Sequence, residues 1–237
     1  MSEGGWNEKR LIRVQAGSGL LFGTFLVLHL TNTIVGGLGQ ETYDALQGAL
    51  RWYYQFPVVE IVAIGAAGIT HVVVGLTRMI RRRRKNQIIR RSGITPPGAP
   101  TWLRIHRASG YFLLVVILGH YAATRGPGLF FDMPADFSFL HFSLLHWPLF
   151  MYPYYFLLFG CGAFHLLHGG VVALNVVGWK VGPPSRAWVR FAFYGAFVVG
   201  VIGVLSMGGA FKEVDTSRFD DFRAFYERYA PFMVVWD

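Results

Sequence analysis

Five apolar runs dominate the chain, at about 14–35, 57–78, 105–124, 153–178 and 188–210. About 20 apolar residues let a helix cross the hydrocarbon core of a bilayer. No water reaches the backbone N–H and C=O groups there, so each run must be a helix that satisfies its own backbone. The chain therefore reads as an all-α membrane protein: a single five-transmembrane-helix bundle over 1–210, with an outer-face tail over 211–237. The first run follows Lys9 and Arg10, lacks a convincing small-residue cleavage site, and is read as a retained span.

The formal net charge is +9, which in a soluble protein would suggest nucleic acid. The distribution argues for a membrane instead. Of 22 Lys and Arg, ten lie between Arg78 and Arg107, three precede Val14, and three fall in 178–190, sixteen on one side of the five spans. Eleven of the 13 acids fall on the other side. Cytoplasmic loops carry the basic excess, so the N-terminus is expected in the cytoplasm and the C-terminus outside. The run Arg81, Arg82, Arg83, Arg84 and Lys85 sits in what reads as a basic loop over 79–103, ending in TPPGAP; it marks topology, a docking surface, or both.

A single cysteine, Cys161, excludes a disulfide framework, an iron–sulfur cluster and a CxxCH haem attachment within the chain. No Walker motif and no strand–GxGxxG–helix unit occurs. Tyr43, Leu46 and Leu50 recur at helical spacing in the connection 36–56, which reads as a short interfacial helix. The stretch 125–147 reads as an outer loop with Pro, Gly, Asp132, Asp136, His141 and His146. Phe219, Phe222, Tyr226 and Tyr229 make one stripe in the tail, read as a second interfacial helix.

The first and third runs share a plan. Arg13, Ser18, Gly19 and His29 recur as Arg104, Ser109, Gly110 and His120, each offset by 91 residues. A rise of about 1.5 Å per residue sets both His29 and His120 roughly 24 Å from the basic edge. His71, seven residues before Arg78, and His168, twelve before Lys180, lie roughly 10–18 Å from it. Ionisable residues inside a span are rare and costly. Four, one on each of four helices and at two matched depths, point to two paired ligand sites. Haem b fits, because its iron accepts two axial imidazoles and its macrocycle is apolar enough to lie between helices. Zinc or copper would call for clustered ligands with carboxylate or thiolate.

In the fourth run His165 and His168 are three apart and share a face. Gly169 and Gly170 after His168, like Gly75 after His71, offer room for a flat group, which favours His168; His165 stays open as the ligand, a hydrogen-bond partner or a quinone contact. Haem propionates would find Arg13, Gln15, Arg104, Arg107 and Lys180 near helix ends, on charge complementarity alone.

Several segments also resemble a known family: RVQAGSGLLFGTFLVLHL, AGITHVVVGLTRM, WLRIHRASGYFLLVVILGHY and WPLFMYPYYFLLFGCGAFHLLHGGVVAL. Over nearly its whole length the chain resembles the five-helix dihaem cytochrome b subunit of succinate:quinone reductases and quinol:fumarate reductases. The resemblance implies two haems b, the outer held by His29 and His120 and the inner by His71 and His168. It implies a quinone as substrate, a flavoprotein subunit and an iron–sulfur subunit on the cytoplasmic face, and a place in a bacterial cytoplasmic membrane. Dicarboxylate chemistry of the tricarboxylic acid cycle would then belong to those partners. The HRASG segment is similar to an HR-x-SG element near quinone, which makes His106, Arg107 and Ser109 quinone candidates, with Glu60 as a loose match in the outer half. One position departs: the dihaem fumarate reductases carry a buried Glu two residues before the fourth-helix ligand, and Leu166 stands there. The alternatives are the dihaem cytochrome b of another quinone-linked oxidoreductase and a haem-free anchor or transporter.

Overall fold

In a computed structural model, residues 7–231 are described. The outermost parts of the expected cytoplasmic lead and tail, 1–6 and 232–237, lie outside the described residues. The chain forms helices α1 (Glu8–Val35), α2 (Gln40–Tyr54), α3 (Ala67–Arg91), α4 (Thr101–Phe130), α5 (Phe137–His146), α6 (Pro148–Val176), α7 (Ala187–Met207) and α8 (Phe219–Tyr229). A 3-10 turn, Gly36–Leu38, follows α1, and a π-helical stretch, Val59–Ala66, leads into α3. Among the described residues, five helical segments are long and apolar enough to cross a membrane: Glu8–Leu38, Val59–Arg91, Thr101–Phe130, Pro148–Val176 and Ala187–Met207. Large apolar side chains such as Val115, Leu118, Leu149 and Phe191 stand exposed on them, as lipid-facing residues do.

Several boundaries differ from the sequence expectation. The basic run is not a loop. Arg, Lys and Gln are good helix formers, and α3 carries them on to Arg91, stopping where Gly93 takes φ +79°. α4 runs on to Phe130 and contains Pro127. Within the expected outer loop the chain forms α5, whose N-cap Asp136 accepts the Phe139 N–H at 2.9 Å.

The chain divides into two compact units. Met1–Val27, Tyr53–Tyr111 and Phe164–Ala192 form the first; Leu28–Trp52, Phe112–Ala163 and Phe193–Asp237 form the second. Within the first, Leu11, Ala16, Val74 and Val171 are buried, and Arg78 at the polar end of the α3 apolar run pairs with Glu8 at 2.7 Å. Within the second, α5 is the buried centre. Its Phe137, Leu140 and Leu144 pack with Tyr43, Val204 and Met207, while its Phe139 and Phe142 pack with Phe222 and Tyr226 of α8. The aromatic stripe of α8 is therefore occupied by α5: Phe222 is fully buried. The Asp44 carboxylate accepts the Phe137 N–H at 3.0 Å, and Arg218 pairs with Asp136, fixing both neighbours of α5.

Candidate functional site

In the second unit, His29 on α1 and His120 on α4 come together, with ring centroids 5.8 Å apart and planes at 70°. His120 Nδ1 lies 3.0 Å from the Tyr154 hydroxyl of α6. One turn beyond each histidine a threonine donates back to its carbonyl, Thr33 to His29 at 3.3 Å and Thr124 to His120 at 2.7 Å. The offset of 91 residues thus extends past the imidazoles. Asn32, three residues from His29, is buried and donates to Gln47 at 2.7 Å, while its Oδ1 has no partner.

In the first unit, His71 on α3 meets His165 on α6, with centroids 6.1 Å apart and planes at 87°. His168, expected as the partner of His71, is 3% exposed and stacked on Phe164, and its Nδ1 bonds the Phe164 carbonyl of its own helix at 3.2 Å. The expectation leaned on space beside Gly169 and Gly170. Beside Gly169 it is filled, since a Cβ there would fall 2.8 Å from His106 Cε1, whereas a Cβ on Gly170 would meet nothing within 4 Å.

The surroundings of His71 and His165 are the same structure built twice. His71 Nδ1 bonds the Gln15 carbonyl at 3.0 Å, and His165 Nδ1 bonds the His106 carbonyl at 3.2 Å. Gln15 and His106 are separated by the same 91 residues as the sequence repeat. Each carbonyl also accepts a serine hydroxyl one turn on, Ser18 at 3.3 Å and Ser109 at 2.9 Å. Gly19 and Gly110 admit the rings, since a Cβ there would stand 2.7 Å from His71 Nδ1 and 2.9 Å from His165 Cε1. Four residues after each histidine, Gly75 admits the Gln15 side chain and Gly169 the His106 ring. Glycine is needed at these four places for close approach, not for backbone freedom.

This arrangement decides the tautomers. A carbonyl oxygen only accepts, so Nδ1 of His71 and of His165 carries the proton and Nε2 keeps its lone pair. Nδ1–H to a backbone carbonyl is the usual outer support of a metal-binding imidazole. Two metal–nitrogen bonds of about 2 Å plus two half-rings separate imidazole centroids by roughly 6 Å, and both pairs meet that figure. Among the described residues, no cluster of three or more His, Cys, Asp or Glu is placed to hold a metal ion.

The two copies differ on one side. The Gln15 amide oxygen is held by Arg78, which also reaches Glu8. Arg78 lies seven residues after His71, two turns along the same face, and that spacing was the signal for a residue that sequence reasoning passed over. His106 instead stacks on His165 at 4.1 Å and 13°, and its Nδ1 is buried without a partner. Of the other expected site residues, Ser109 is buried with its hydroxyl 3.2 Å from His165 Nδ1, whereas Arg13, Arg104 and Lys180 are exposed and Arg107 is half-buried. Glu60 lies in the π-helical stretch, a geometry that recurs at functional sites. No family model, curated protein or solved structure matches this chain, so the reading of the site rests on its own geometry.

Proposed function

We propose that this chain is the membrane-anchor cytochrome b subunit of a succinate:quinone or quinol:fumarate oxidoreductase. It would hold two haems b and carry electrons between membrane quinone and a flavoprotein/iron–sulfur pair. The observation that supports this most is the two imidazole pairs at 5.8 and 6.1 Å, the second in a twice-built cradle that fixes both ligand tautomers. His29 and His120 would ligate one haem. For the other, the geometry favours His71 with His165 over His71 with His168. A haem held by two imidazoles exchanges one electron at constant coordination. The chain's own task is to orient the four rings and to keep water away from them.

The unpartnered His106 Nδ1, beside Ser109 and Arg107, supports contact with a quinone headgroup. Gln15 and Arg78 offer donors near the His71 cradle, where a propionate would be matched by charge. Two residues before the fourth-helix ligand stands Ala163 when that ligand is His165 and Leu166 when it is His168, neither of them an acid, so proton return through a buried Glu there is not part of the proposal. The test is a pyridine haemochrome assay on the purified subunit together with single variants. About two haems per chain are expected; His71→Ala and His165→Ala should lose the same spectral component, and His168→Ala should keep both. A ratio near zero sinks the proposal, and loss of the component in His168→Ala but not in His165→Ala reverses the ligand choice. Copurifying flavoprotein and cluster subunits would separate it from other quinone-linked cytochromes.

A further inference from the structure

Helix α3 does not stop where its apolar run ends. Arg78 pairs with Glu8 in the first turn of α1, which marks the level where both helices reach polar surroundings. α3 then continues to Arg91, which at about 1.5 Å per residue carries it roughly 20 Å further. Arg81, Arg82, Arg83 and Arg84 fill the first turn past that level. Successive helical residues are rotated by about 100°, so the four fan round the axis, with Arg81, Arg83 and Arg84 exposed and Arg82 half-buried near Arg107. A folded protein partner needs charge on one face; a charge on every side suits a layer that surrounds the helix.

The depth suits the same layer. The four arginines stand roughly 4–9 Å beyond Arg78 along the axis, and the headgroup layer on each side of a bilayer is about 5–8 Å thick. Ile80 and Ile88 flank them and are 46% and 64% exposed, an interleaving of apolar and cationic side chains that suits an acyl–headgroup boundary. No acid occurs between Glu60 and Asp132 in the sequence. Guanidinium groups bind phosphate oxygens in pairs.

We propose that Arg81, Arg82, Arg83 and Arg84 form a collar that binds the phosphate headgroups of anionic phospholipid and sets the depth of α3. Arg90 and Arg91, near the helix end, lie past the headgroups and are left for soluble partners. The proposal requires only that α3 leaves the membrane here, and it stands whether or not the chain binds haem.

The test uses the full-length protein in vesicles with spin-labelled phosphatidylglycerol or phosphatidylcholine, read by electron spin resonance. Each basic residue near a surface contributes about 1 kcal/mol toward anionic lipid, or roughly five-fold. The wild-type chain should prefer phosphatidylglycerol several-fold. Plain removal of the charges could invert the protein, so the variant moves them: Arg81→Gln, Arg82→Gln, Arg83→Gln and Arg84→Gln together with Ile94→Lys, Thr95→Lys, Gly98→Lys and Ala99→Lys. With orientation verified by protease access, this variant should lose most of the wild-type preference, keeping only what the remaining basic residues supply, and Arg90→Gln with Arg91→Gln should behave as wild type. No preference in the wild-type chain, or full preference in the displaced variant, overturns the collar. So does a displaced variant that keeps its lipid preference and loses only an acidic protein partner.

Discussion

Gly19 and Gly110 face imidazoles so closely that a single methyl group must displace the ring or the helix. Because the two positions are copies of one another, Gly19→Ala and Gly110→Ala should damage the same site, the His71–His165 pair, and leave His29–His120 intact. Redox titration should show one component shifted or lost in both variants, whereas Gly17→Ala, with nothing within 4 Å of its Cβ, should match wild type. Separate losses would mean that the glycines do not serve a common pair. The spacing of these residues was legible in the sequence, and so was the meeting of His29 with His120. Which of His165 and His168 lies beside His71 was not. Both lie on one helix face, and of the two glycines after His168 only Gly169 faces the His106 ring, Gly170 having open space. The partners that hold His165, the His106 carbonyl and the Ser109 hydroxyl, belong to a helix distant in sequence.

At the scale of elements, α5 and α8 form a cap with its own pH response. Burial lowers the His141 pKa from its ordinary 6.5, against an opposing bond from Nδ1 to the Met207 carbonyl at 2.8 Å; His146 nearby lowers it further. A depressed imidazole pKa means that the folded cap favours the neutral ring. Its stabilisation is complete above the ordinary value and is lost as pH falls below it, because the opened cap takes up the proton first. Asp44 acts in the other sense: burial raises its pKa, so its contribution weakens as pH rises through the carboxylate range. The protection of the Phe219–Tyr229 amides, the intrinsic exchange rate divided by the observed rate at each pH, should therefore fall as pH drops from about 7 to about 5, governed by an imidazole of ordinary pKa near 6.5 in the open state. His141→Gln should flatten that dependence; an unchanged profile would assign it elsewhere. The α8 stripe was readable from periodicity, but its occupant was not, since a stripe fits a bilayer or another helix equally well. α5 went unread because its Asp136 cap and flanking Pro134 look like loop residues until the Phe139 N–H is seen bonded.

For the whole molecule, the five apolar helices were legible from composition alone, because backbone hydrogen bonding leaves no other form for such runs. Orientation is read from charge, with sixteen of 22 basic residues on one side. It can be checked with single cysteines at Ser92 and Ser217 in a Cys161→Ala background. An impermeant thiol reagent added to intact cells should label Ser217→Cys and spare Ser92→Cys; the opposite pattern would invert the topology. On the proposed function, the same cysteines carrying crosslinkers would test for soluble partner subunits, with adducts expected from the Ser92 side.

The repeat that builds the cradle also dictates an order of events. Each imidazole pair draws one ring from α1 or α3 and the other from α4 or α6. During synthesis the first copy is therefore released with two rings that have no counterpart. The His29–His120 pair can close only once α4 is inserted, and the His71–His165 pair only after α6. A chain arrested in the connection between α3 and α4 would contain half of every pair and the whole of none, so completed pairs report that the second copy has been made.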